Sequence, residues 1–233
     1  MNKALYFIKR IFIWLLIVFM SLNTVLASNK YGKSLDEYTT SSDLVKSNLY
    51  LLNGDFVVIG DSYAYLLVEN TEDLYHYVVR PGYNITRLYF ELLPRIKPDT
   101  FKYAFLFIGP NDYMEQFEPD KFKFVLGIFV DELIKRGIKV VMTDYIKPHS
   151  DFIIKSNLIN AKYSINDYNM GVREIIVGRN LLYVPMEHLI KQFGYNSEFD
   201  LVHPNKLLYK PLLAEVIDCI NKDKILQSEI NNK

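Results

Sequence analysis

Cysteine is almost missing from this chain: Cys219 is the only one in 233 residues. An intrachain disulfide is therefore impossible, and a multi-cysteine zinc site is excluded with it. Cys219 stands among Val216, Ile217 and Ile220 and reads as a core residue. An excess of charge of either sign is also missing. The 27 Lys and Arg balance the 27 Asp and Glu, and no basic run forms a patch, so nucleic acid is not an expected partner. There is no G-x-x-x-x-G-K-[ST] phosphate loop, no H-E-x-x-H metalloprotease pair and no G-x-S-x-G elbow. Repeats and low-complexity tracts are absent too. What remains is an ordinary globular composition, 50% hydrophobic and 23% charged, enriched in aromatics by 18 Tyr and 15 Phe. The length suits one domain with a full core.

The first 27 residues stand apart. Lys3, Lys9 and Arg10 are basic, and no acidic residue precedes Asp36. Ile11–Met20 is unbroken apolar sequence, and Val25-Leu26-Ala27 places small residues where a signal peptidase cuts. This reads as a secretory signal peptide over 1–27, with an uncleaved membrane anchor as the alternative. The apolar core is short for a span of about 20 residues. Cleavage would remove three cations and no anion, leaving 24 basic against 27 acidic residues, a net of −3. An exported chain without disulfides suits a periplasmic, cell-envelope or extracellular bacterial protein. Residues 28–54 read as a tether with a possible short helix at Asp43–Leu51, and 55–233 as the domain proper.

Within that domain, strand patterns alternate with helix patterns. Phe56–Gly60, Leu74–Val79, Tyr103–Ile108, Lys139–Thr143 and Leu181–Val184 read as strands. Tyr103–Ile108 is apolar throughout, as expected of a central strand covered on both faces. Helices are expected at Tyr63–Val68, Thr86–Ile96, Pro119–Arg136, Ile159–Val177 and Lys206–Ile220, with loops at Asp144–Ser156 and Phe193–Pro204. The alternation predicts a parallel sheet of about five strands with helices on both faces. All strand ends then reach one edge. Three of them carry glycine with turn or polar residues: Gly60-Asp61-Ser62, Pro81-Gly82 and Gly109-Pro110-Asn111-Asp112.

Ser62 follows a glycine turn at a strand end, where its hydroxyl would face the edge at which ligands collect in open α/β sheets. A serine nucleophile needs a base. Of four histidines, His76 falls inside a strand pattern, His149 in a loop and His188 on a short helix with solvent exposure expected. His203 lies in Asp200-Leu201-Val202-His203-Pro204-Asn205, just before the last helix. Asp200 and His203, three apart, fall on one side of a turn. The carboxylate can then orient the imidazole toward Ser62. Plain loop and capping roles for Asp200 and Asn205 are the alternative. Donors for a developing oxyanion could come from the Ser62 N–H, the Gly82 N–H and the Asn111 amide, each also explicable by ordinary turn chemistry.

Gly60-Asp61-Ser62, Gly82, Gly109-Pro110-Asn111-Asp112 and Asp200-Leu201-Val202-His203 together resemble the four blocks of the SGNH (GDSL-like) hydrolase family, in order and over nearly the whole domain. The resemblance implies a flavodoxin-like three-layer α/β/α sandwich and serine esterase or related acyl-transfer chemistry. In that reading Ser62 is the nucleophile, His203 the base and then acid, and Asp200 its orienter. Ser62, Gly82 and Asn111 form the oxyanion hole, and no metal or other cofactor is required. Asp61 and Asp112 read as structural hydrogen-bonders. Tyr63 departs from the family, which has leucine there, and could shape the acyl pocket. Tyr65, Tyr83 and Tyr113 near the motifs are candidates for stacking on a sugar, or else core and rim aromatics. The expected substrate is an O-acyl ester, on an envelope glycan or a lipid. An O-acyltransferase using the same acyl-enzyme and a non-catalytic envelope-binding module are the alternatives. Membrane contact is expected only through 1–27, if uncleaved.

Overall fold

The central strands explain the architecture. Tyr103–Phe107 is buried at every position, so it must be covered on both faces. The computed structural model describes residues 56–71, 76–195 and 201–231. The expected leader, the tether with its short helix, Leu74 and Asp200 lie outside the described residues.

Five parallel strands form one sheet in the order β2-β1-β3-β4-β5. They are β1 (Phe56–Gly60), β2 (Tyr77–Val79), β3 (Tyr103–Phe107), β4 (Lys139–Thr143) and β5 (Leu182–Val184). The helices are α1 (Ser62–Asn70), α2 (Ile85–Arg87), α3 (Asn111–Met114), α4 (Pro119–Lys135), α5 (Ser150–Lys155), α6 (Ile165–Gly178), α7 (Glu187–Phe193) and α8 (Tyr209–Asn231). Alternate strand residues serve the two faces. Val57, Ile59, Ala104, Leu106, Val140 and Met142 pack under α2, α4 and α6, while Val58, Phe105, Phe107 and Val141 pack under α1, α7 and α8. The result is the expected three-layer α/β/α sandwich.

α4 shows how pattern becomes packing. Phe122, Val125, Leu126, Phe129, Val130 and Leu133 recur at helical spacing and are all buried. Each such side chain contributes about 1.5–3 kcal/mol of burial. Pro119 opens the helix. Gly137, at φ +75°, closes it: its N–H donates to the Ile134 carbonyl and the Ile138 N–H to the Leu133 carbonyl.

Several expectations change. The helix expected at 86–96 is really three short turns. α2 runs into a π turn at Leu88–Leu92 and a 3-10 turn at Leu93–Arg95, because Pro94 withholds an N–H. The expected loop 144–156 contains α5, capped by the His149 side chain accepting from the Asp151 N–H at 3.2 Å. The final helix also runs past Ile220 to Asn231. No helix among the described residues is long and apolar enough to cross a membrane.

Candidate active site

In the strand order β2-β1-β3, chain progression reverses between β1 and β3, the place where open α/β sheets bind ligands. Gly60, Val79 and Phe107 are paired in register, so three adjacent strands end at one level. Gly60 has to be glycine. A Cβ there would lie 1.9 Å from the Phe107 carbonyl oxygen and 2.8 Å from the Ala64 Cβ. The chain then turns through Asp61, whose Oδ1 accepts the Tyr63 N–H at 2.9 Å and caps α1. Ser62 is the first residue of α1, and its side chain sits half-buried at the helix N-terminus.

Asp61 also joins the first motif to the third. Its Oδ2 accepts the Gly109 N–H at 2.8 Å and the Asn111 amide at 2.7 Å. The Asn111 amide donates as well to the Tyr83 carbonyl at 3.0 Å, which brings in the turn at Gly82. Gly82 has φ +74°, a left-handed conformation natural to glycine. Asp112 takes the Ile85 N–H on both carboxylate oxygens, at 3.0 and 3.2 Å. Asn84 caps α2 through the Arg87 N–H at 3.0 Å and donates to Glu115 at 2.6 Å. Both aspartates are buried. Burial pushes the Asp61 carboxyl up to about 6, against the pull of its donors and of His203, and pushes Asp112 well above the ordinary carboxylate range.

His203 reaches the same place from the far end of the chain. Its Nε2 lies 2.8 Å from the Ser62 Oγ. The segment carrying it is closed by an antiparallel bridge between Tyr195 and Pro204 and by the Asn205 N–H donating to the Gly194 carbonyl at 3.1 Å. The His149 N–H holds the Leu201 carbonyl at 2.9 Å. Asp200, expected to orient the imidazole, lies outside the described residues. A serine hydroxyl at hydrogen-bond distance from an imidazole nitrogen, beside a helix N-terminus, can lose its proton to the ring as it attacks.

The four tyrosines near the motifs fall differently. Tyr63 does not line a pocket. It is fully buried, with its ring 5.3 Å from the His203 ring and 5.7 Å from the Phe107 ring, and its hydroxyl donates to the Val202 carbonyl at 2.7 Å. Tyr83 is 8% exposed and Tyr113 4%, too little for either face to stack on a sugar. The Arg87 guanidinium covers the Tyr83 ring at 4.0 Å, and the Tyr113 ring packs on Tyr168. Tyr65 is half-buried, with its hydroxyl on Glu69. His76 packs against Phe101, and His188 is exposed beside Glu215. No cluster of three or more His, Cys, Asp or Glu among the described residues is placed to hold a metal ion. Asn84 escaped the sequence reading, although an Asn just before Ile85-Thr86-Arg87 is a helix-start signal.

The sequence matches no family model and no curated protein. Its fold is that of several solved structures. A GDSL-like lipase from Bacteroides thetaiotaomicron VPI-5482 superposes with a TM-score of 0.59 at 15% identity, over 81% of this chain and 97% of that one. A member of the lipolytic protein G-D-S-L family from Veillonella parvula DSM 2008 gives 0.52 at 13% identity, over 71% and 97%. An acetylxylan esterase from Geobacillus stearothermophilus gives 0.50 at 16% identity, over 72% and 94%. The chain thus has the three-layer fold on which GDSL-type ester hydrolases are built.

Proposed function

We propose that this protein is an SGNH-type ester hydrolase in which Ser62 attacks the acyl carbon and His203 takes its proton. The observation that carries the reading is the 2.8 Å approach of the His203 Nε2 to the Ser62 Oγ at the sheet's carboxyl edge. Attack forms the Oγ–C bond and a tetrahedral oxyanion. The proton passes to Nε2 and then to the departing alkoxide as the ester C–O bond breaks. Water repeats the sequence on the acyl-enzyme, releasing the acid and restoring Ser62. Asp200 completes the triad by accepting from Nδ1. The Ser62 N–H, the Gly82 N–H and the Asn111 amide stabilise the oxyanion. Since Asn111 already donates to Asp61 and to the Tyr83 carbonyl, the oxyanion shares one of those N–H groups. Residues 1–27 export the chain as a signal peptide.

Of the possible esters, an O-acetyl group on an envelope polysaccharide is the first to test, given the acetylxylan esterase among the structures that share the fold. The lipolytic members make lipid esters the competing class. Hydrolysis of p-nitrophenyl esters from acetyl to octanoyl separates them. A sharp acetyl preference points to a carbohydrate deacetylase, and rising activity with chain length points to a lipid. Ser62→Ala should lower kcat by roughly 10⁴ or more. Undiminished hydrolysis by Ser62→Ala would falsify the mechanism.

A further inference from the structure

Tyr63 is where this chain departs from its motif, and it is also the residue that touches both ends of the reacting pair. It follows Ser62 directly in α1. Its phenol reaches across 139 positions of sequence to the Val202 carbonyl, one peptide unit before His203, at 2.7 Å. Its ring lies against the imidazole, the centroids 5.3 Å apart and the planes inclined by 56°. On its other side it meets the Phe107 ring edge-on. Behind it, a Cβ at Gly109 would come within 2.7 Å of the ring, so the phenol is wedged in place by the third motif. A leucine at this position could fill part of the space but could not donate a hydrogen bond.

We infer that Tyr63 is a positioning residue that fastens the His203 segment to the helix carrying Ser62. The inference rests on the assignment of Ser62 and His203 as nucleophile and base. Val202 adjoins the base directly, and a buried tyrosine hydroxyl needs a partner. One hydrogen bond thus satisfies the phenol and fixes the backbone next to the base. The ring limits rotation of the imidazole, so Nε2 stays on Ser62 Oγ instead of sampling other rotamers. Displacing a reacting group by about 1 Å can cost roughly 100-fold in rate. A residue beneath the base therefore governs turnover without touching substrate.

The test compares wild type, Tyr63→Phe and Ser62→Ala on p-nitrophenyl esters from acetyl to octanoyl, with active sites counted by fluorophosphonate labelling. Tyr63→Phe keeps the ring and removes only the hydroxyl. The expected result is a fall in kcat per labelled site of about tenfold or more, equal at every chain length, with KM within about twofold. An unchanged kcat per site, or a loss confined to one chain length as a pocket-lining residue would give, overturns the inference. If Ser62→Ala is inactive in the same series, the nucleophile assignment survives that loss. Undiminished hydrolysis by Ser62→Ala overturns both together. Should Tyr63→Phe fail to fold, histidine NMR on the wild type decides. A single Nδ1-protonated His203 ring with NOEs to the Tyr63 ring supports the tether, and a ring averaging between tautomers overturns it.

Discussion

Asp61 shows what one side chain must satisfy at this site. It accepts from the Tyr63 N–H, the Gly109 N–H and the Asn111 amide while fully buried. Its carboxyl holds a proton up to about 6 when folded, against 3.8 in the ordinary range. Between those values the folded state binds more protons than the unfolded one. The contribution of Asp61 to stability is therefore full below pH 3.8 and is lost as pH rises through 6, a swing of about 3 kcal/mol. Urea unfolding between pH 4 and 7 should decline more steeply in wild type than in Asp61→Asn, which keeps the contribution of buried Asp112. Asp61→Asn should also lose activity, roughly 10- to 100-fold, because an amide NH₂ would face either the Tyr63 N–H or the Gly109 N–H and Asn111 amide together, donor against donor. Asn111→Ala should lower kcat by about 10²–10³ with little change in KM, read by steady-state kinetics. Asp61 and Asp112 were legible as hydrogen-bonders from their motifs. The placement of Tyr63 was not, because its partner is 139 residues away and no local pattern encodes the meeting.

The strands were legible because each is short, apolar and bounded by Gly, Pro or charge, and burial on both faces of β1, β3 and β4 sets the centre of the sheet. α4 was legible because its buried stripe, its Pro119 start and its Gly137 stop agree. The segment after Asn84 was not: Pro94 withholds an N–H and marks that a regular helix fails there, but no local pattern says that it fails through a π turn and then a 3-10 turn, with Leu88, Leu92 and Leu93 packed into the core. α5 was hidden by its short length, six residues, and its histidine cap, a weak start signal. Two substitutions test how these elements bear on the site. Phe129→Ala, in the fully buried stripe of α4, should cost about 3–5 kcal/mol in urea unfolding. Gly109→Ala should be destabilising in wild type because its methyl meets the Tyr63 ring. It should cost less in a Tyr63→Ala background, so a double-mutant cycle between α1 and the end of β3 should show strong coupling.

At the scale of the whole molecule, the proposed export signal makes a direct prediction. The full chain expressed in a bacterial host should appear in the periplasmic fraction with Ser28 as its first residue by N-terminal sequencing. An intact Met1 in the membrane fraction would make 1–27 an anchor. The sheet order has a consequence of another kind. Ser62, the Gly82 turn and Asn111 belong to strand ends that are neighbours in the sheet and come early in the chain, whereas His203 is separated from Ser62 by 141 positions and precedes the helix α8 that closes its layer. A ribosome working from the N-terminus builds the platform first and the base last. Under the proposed mechanism, a half-made chain would present Ser62 before His203, its base, exists: order of synthesis would then separate nucleophile from base in time.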